Sequence, residues 1–309
     1  MSCYPSDSKV LSVLLAFQRE IRAFVSPADQ SKLSSASWWL YHSARRSQYT
    51  GKRRSWPTDD ELNALTQRLH IRLARGGRTD GRKRRTRMKL SRGQLRVLLR
   101  DLLLVASGLR PSCLVDCCAL TKELAKLLLD YLDEEEIYEA SLVRAVLLDG
   151  NVFFVNVDAF VCHKMATGLE QQMYADVSAS LTQPKLISNS SMKGARRIQA
   201  FAEWTVTACR DLVASKSRVL EWKAPIALNA TALAGILLCY PCVYDIYEDH
   251  DVAVDEWSEQ ENCLGLCPLL LLQIMAIVPQ QQLELTLHEF SVPQHLLDNF
   301  KKDDEEEAD

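Results

Sequence analysis

The chain has 309 residues, 47% of them apolar and 25% charged, and a formal net charge of −3. That is an ordinary globular composition, with material for a sizeable core in one large domain or two small ones. No apolar run reaches the ~18–20 residues of a membrane helix, since the best stretch, 232–242, is interrupted by Gly235 and Pro241. Residues 10–17 are apolar enough for the core of a secretory signal, but Asp7 precedes them and Gln18, Arg19 and Glu20 follow where small residues would be cleaved. The ten cysteines are therefore expected to be small buried hydrophobes and not a disulfide framework, in an intracellular protein of the cytoplasm or nucleus with no membrane partner.

Charge is unevenly spread. Between Arg45 and Arg100 there are eighteen Lys/Arg against four Asp/Glu, so the remainder of the chain is strongly acidic. This pattern predicts a basic arm beside an acidic body. Residues 1–90 are expected to be a basic, mostly disordered extension. Glycines at 76, 77 and 81 interrupt any helix over 61–73, and Met88 stands directly before the first convincing element.

That element is a helix over 92–107, with leucines at 95, 98, 99, 102 and 103 and a stop at Gly108. A short apolar strand over 112–117 reads as buried on both faces, in the middle of a sheet. A helix over 121–132 and an exposed acidic turn at 133–136 follow. Asp149-Gly150 between the apolar runs 143–148 and 152–156 predicts a hairpin. Asp158 is expected to cap a helix reaching about 171. A strand over 174–178, a loop over 184–191 and a long helix over 193–214 come next. A buried helix over 231–239 ends at Pro241, and apolar strands are expected at 242–247, 268–278 and 283–290. The fold class expected from this order is α/β (α+β): one domain over 91–300, a single mixed sheet flanked by helices with an antiparallel C-terminal meander. Residues 301–309 form an acidic tail with nothing apolar to bury.

Five blocks occur in order: Gly108-Leu109-Arg110-Pro111 with Leu114-Val115-Asp116-Cys117; Asp176-Val177-Ser178; Gly235-Ile236-Leu237-Leu238 with Tyr240-Pro241; Asn262-Cys263-Leu264 with Pro268-Leu269; and Phe290-Ser291-Val292-Pro293. Together they resemble the UPF seven-three-nine family of uncharacterised eukaryotic proteins, over about 95–297. The resemblance implies a single domain of unknown activity, supplies no catalytic residues, and puts 1–90 outside the family domain. The chain departs from the family pattern at Cys239, where a glycine is usual, and at Leu270, where an arginine is.

Candidate chemistry is thin. Asp116, Cys117 and Cys118 follow the first strand, and Asp176 and Ser178 end another; carboxylates and a thiol at strand ends suit acid–base or nucleophilic work. The plainer reading makes Asp116 a helix cap and the thiols packing groups. His163, on a helical pattern, reads as a surface residue and not a base. Cys239, Cys242, Cys263 and Cys267 have four thiols for a zinc ion or a Cys-x-x-Cys redox pair, but their apolar flanks favour burial. The basic block Arg82, Lys83, Arg84, Arg85 and Arg87 could neutralise phosphates or be read as an import signal, or be no more than a solvated tail; if translation starts at Met88 it is absent. Asp249, Asp251 and Asp255 lack the glycine and final glutamate of a calcium loop. No cofactor is implied. The expected function is a non-enzymatic binding or interaction protein with an unknown protein partner. The alternatives are an enzyme with a strand-end site near Asp116 and Asp176, and nucleic-acid association through the arm.

Overall fold

The computed structural model describes residues 56–75, 90–138, 140–167, 172–246, 262–278 and 283–297. The expected disorder of the arm and tail, the basic block at 82–87 and the acidic stretch carrying Asp249, Asp251 and Asp255 lie outside the described residues. Helix α1 (Asp59–Arg75) falls inside the segment that composition assigned to a disordered extension. Thr58 and Glu61 form its capping box: the Glu61 carboxylate accepts from the Thr58 N–H at 2.9 Å, and the Glu61 N–H donates to Thr58 Oγ1 at 3.3 Å. Leu62, Leu65 and Leu69 then fall on one face and are buried with Trp56 in the same core as the leucines of the next helix. The expected boundary near residue 90 thus does not hold for residues 56–75. The Thr-x-x-Glu signature was present; the charge of the surrounding arm obscured it.

Helix α2 (Arg92–Ala106) opens at a Ser91–Gln94 capping box, and the chain leaves it at Gly108 with φ 73°. Strand β1 (Ser112–Leu114) follows, then helix α3 (Lys122–Glu134), capped by Thr121. Of the acidic stretch expected as a turn, Asp133 and Glu134 finish this helix and Glu135 and Glu136 form the turn; Glu134 and Glu135 pair with Arg72 and Arg68 of α1. Strands β2 (Val143–Leu148) and β3 (Asn151–Asn156) form the predicted hairpin. Asp149 and Gly150 both take positive φ, 46° and 84°, as a type I′ turn requires. Helix α4 (Val157–Thr167) is capped by Asn156, whose Oδ1 accepts from the Ala159 N–H at 3.1 Å, and not by Asp158.

Strands β4 (Met173–Asp176) and β5 (Lys185–Leu186) precede helix α5 (Met192–Ala214). Strand β6 (Val219–Trp222) pairs parallel with β2. At four residues, with Glu221 inside it, β6 has no pattern of its own and exists through its pairing. Helix α6 (Ala230–Leu237) leads to β7 (Cys242–Asp245), and the chain ends in β8 (Leu269–Val278) and β9 (Leu283–Pro293).

The class is α+β with an antiparallel C-terminal ribbon, as the order of elements predicts, but the single mixed sheet expected does not form. The strands are divided among three sheets: β1-β3-β2-β6, β5-β4-β7 and β8-β9. Strand β7 follows α6 and so lies parallel to β4, as a crossover connection dictates, while a long stretch separates it from β8. Strand β1 is an edge, not a central strand, although Ser112 and Cys113 are buried.

The β2–β3 hairpin is the midplane of the molecule. Paired residues of an antiparallel ladder share a face. Ala145 and Phe154 are one such pair and look into the core of α1, α2 and α3. Val146 and Phe153 are the next and look into a second core with Phe160 of α4, Phe201 of α5 and Leu233 of α6. Covered on both sides, the hairpin carries continuous apolar runs and no alternation. A buried ion pair locks the second layer. Arg197 of α5 donates through Nε and Nη2 to the two Asp245 oxygens of β7, both at 2.7 Å, and through Nη1 to the Ala227 carbonyl.

Candidate functional site

The strand-end residues are placed as follows. Asp116 lies beyond β1 and is exposed. Asp176 ends β4, in the other sheet, where its Oδ1 accepts from the Ser178 N–H at 3.0 Å and the Ser178 hydroxyl at 2.5 Å. Cys117 and Cys118 have sulfurs 3.9 Å apart. Burial raises both thiols, that of Cys118 to about 12 with its neighbour Cys117 adding to the shift. The thiolate is the nucleophile, so these groups are protonated and poorly reactive at neutral pH.

Near Asp116 lies a polar cluster that the sequence did not announce. Arg110, in the turn after α2, has its Nη1 3.9 Å from Asp101 of α2. Burial raises the Asp101 carboxyl, partly offset by Arg110 and Arg100. His288 of β9 is pushed down to about 3 by burial and then by the Arg110 charge. Arg110 Nε and His288 Nδ1 are buried without a hydrogen-bond partner among the described residues. His163 of α4 is partly exposed, as expected, and is also pushed down to about 3, by burial first and then by Lys164 and His288. Imidazoles held neutral this firmly are poor proton acceptors near pH 7, where a general base needs a pKa close to the working pH.

The four thiols considered for zinc remain free and are not gathered into a ligand set. Cys239, Cys242 and Cys263 are buried and Cys267 partly so. Burial raises Cys239 to about 11 and Cys242 to about 12. Among the described residues no group of three or more His, Cys, Asp or Glu is placed to hold a metal ion. No helix among them is long and apolar enough to cross a membrane.

What stands out chemically is β8. Its sequence, LLLLQIMAIV, has no charge and no proline. Ile274, Ala276 and Val278 pack against the first core, but Leu269, Leu270, Leu271 and Leu272 are exposed, Leu271 at 62%. Ile277 is exposed at 58% on the outer face. Among the described residues β8 is paired on one edge alone, with β9. Opposite Ile274 and Met275 the register shifts, leaving Leu287 of β9 as an extra residue turned into the core. The outer edge of β8 has none of the devices that normally protect an edge: no lysine, no inward charge, no proline and no bulge on its own strand. The apolar run was legible in the sequence. Its exposure was not, because a buried central strand reads the same way.

No solved structure matches this chain. A family model described as a domain of unknown function, DUF4504, matches residues 80–308. The match opens ahead of the expected boundary at 90 and takes in the whole β1–β9 body. It covers well over half of the sequence, and on that ground the chain belongs to the DUF4504 family.

Proposed function

We propose that this protein is a non-enzymatic interaction domain whose docking surface is the outer edge of β8, where a partner polypeptide adds an extended segment to the β8–β9 ribbon. The observation that carries the reading is the exposed run Leu269, Leu270, Leu271 and Leu272 beside a strand edge that is unpaired among the described residues. Its exposed side chains form a contiguous apolar patch of on the order of 400 Å², within the range of the largest patch on a typical monomer, which is often functional. Strand addition suits it: backbone hydrogen bonds satisfy the edge, and alternate side chains meet the partner on each face. The competing enzyme reading draws less support, since the thiols are raised, the histidines are held neutral and the two strand-end aspartates belong to different sheets.

The test is site-specific photo-crosslinking of the full chain in cells, with the probe at Leu271 and, as control, at Val213, an exposed apolar residue of α5. A discrete polypeptide adduct at 271, absent at 213 and lost on adding Leu269→Lys, is the expected result. Equal labelling at both positions overturns the reading, as does substrate turnover by the full chain that disappears with Asp116→Ala.

A further inference from the structure

We infer that the segment that docks on β8 is β8 of a second copy of this chain, paired antiparallel about a two-fold axis through Gln273. This rests on the β8 edge being the docking surface and adds the identity of its occupant. Self-pairing is the arrangement that the strand itself favours. An isologous contact brings every residue against a residue of the same strand, and β8 from Leu269 to Val278 has no charge to set against its own copy.

Geometry narrows the axis to Gln273 or Ile274, each pairing nine of the ten residues of β8, and only Gln273 brings in Leu269 at the start of the exposed run. Successive side chains of a strand alternate faces. A two-fold axis normal to the ribbon keeps each face on its own side, so it must run through a residue and not between residues. At Gln273 it pairs almost the full strand: Leu269 meets Ile277 and Leu271 meets Met275 on the outer face, while Leu270 meets Ala276 and Leu272 meets Ile274 on the other. The apolar side chains left most open on β8, Leu271 and Ile277, both acquire apolar cross-strand neighbours. Gln273 faces its own copy. An amide is self-complementary, carrying both donor and acceptor, and although Gln273 Nε2 donates to Glu289, its carbonyl oxygen remains to accept.

The charges on the flanking strands do not oppose this. Glu284 and Glu289 lie on β9, one strand further out. Across the dimer the two β9 strands are three strand spacings apart, roughly 14 Å, beyond the ~8 Å over which charges act at physiological salt. The product is a four-stranded antiparallel ribbon, β9-β8-β8-β9, which removes the edges of both copies and exceeds the two strands that are marginal by themselves. Edge pairing of one ten-residue strand is a contact below the ~1,200 Å² of total area typical of stable specific interfaces, so the dimer should be weak, reversible and dependent on concentration.

The experiment combines sedimentation velocity on the full chain with isotope-coded crosslinking. Wild type should shift from monomer towards dimer as concentration rises to ~100 µM, at the micromolar level expected for a small interface. Leu271→Lys and, separately, Ile277→Lys should each sediment as monomer while keeping the wild-type circular dichroism. A photo-crosslinker at Gln273, in an equal mixture of ¹⁴N and ¹⁵N chains, should give mixed-isotope adducts whose partner peptide is β8. A wild-type chain that stays monomeric throughout overturns the second copy, and so do a dimer that persists in both lysine variants and mixed-isotope adducts that avoid β8. The two readings separate cleanly: a monomeric wild type whose residue 271 still gives a discrete cellular adduct leaves the β8 edge as a docking surface for another polypeptide, and one with no such adduct removes both.

Discussion

The hairpin β2–β3 and the strand β8 have nearly the same composition and opposite fates. Both are mostly apolar runs, broken by Arg144 in β2 and Gln273 in β8, with residues suited to either face. The hairpin is clamped between two helical layers, so that Phe154 and Phe153, adjacent in sequence, are buried in different cores. Strand β8 is half covered: three of its side chains rest on the first core while the four leucines before them are open to solvent along an unpaired edge. An apolar strand records that something must cover it. It does not record whether the cover comes from the same chain.

The comparison makes predictions of graded size. Phe154→Ala removes a side chain covered on all sides and should cost about 3–5 kcal/mol in urea denaturation. A loss below about 1 kcal/mol would mean that the hairpin is not the closed midplane described above. Asp245→Ala removes the carboxylate that balances the buried Arg197 charge and should cost a similar ~3–5 kcal/mol, whereas replacing both residues by apolar ones, Arg197→Met with Asp245→Leu, should recover most of it. Equal losses in the single and double variants would show that the pair does more than balance a buried charge.

Gly194→Ala sharpens the contrast from the covered side. A Cβ there would stand 2.2 Å from the Ser188 carbonyl oxygen. The strain should outweigh the ~1 kcal/mol by which alanine favours a helix and leave a net loss of about 1–3 kcal/mol. Thermal denaturation that rises for this variant would refute so close an approach.

The pH dependence is a smaller handle. Burial keeps His163 and His288 neutral, each near 3 in the folded chain, against ~6.5 when unfolded. As pH falls below ~6.5 the unfolded chain takes up those protons first, so their contribution is full above that value and is lost progressively towards pH 3. His288→Gln should flatten the fall of Tm between pH 7 and 4. An unchanged slope would mean that His288 is not held neutral in the fold.

The smallest effect lies at the other pole. Leu271→Ala, measured at concentrations where the chain is monomeric, should change stability by less than ~0.5 kcal/mol, as for an exposed position. A cost near that of Phe154→Ala would place Leu271 inside the fold and end its standing as docking surface.

Residue by residue, the elements built from local signals were legible. The Ser91–Gln94 box, the leucine spacing of α2, the Asp149–Gly150 turn and the hydrophobic face of α5 are statements about neighbours in sequence. Helix α1 was equally local, through Thr58 and Glu61, but was submerged in a basic segment whose charge pointed to disorder. Strand β6 and the parallel pairing of β4 with β7 were not legible, because they are fixed by partners that lie far along the chain. The Arg110–Asp101–His288 cluster drew no notice for the same reason: its members come from a helix, a turn and the final strand.

The sequence by itself thus determined the α+β class, most helices, the central hairpin, and the presence of a long apolar strand near the C-terminus. These follow from periodicity, turn chemistry and capping, which act over a few residues. The tertiary structure alone decided that the strands divide into three sheets, that α1 belongs to the first core, and that β8 is left with an open edge. Exposure depends on what packs over a side chain, and Leu271, with only Ser291 of β9 opposite it in the ribbon, stays 62% exposed among the described residues.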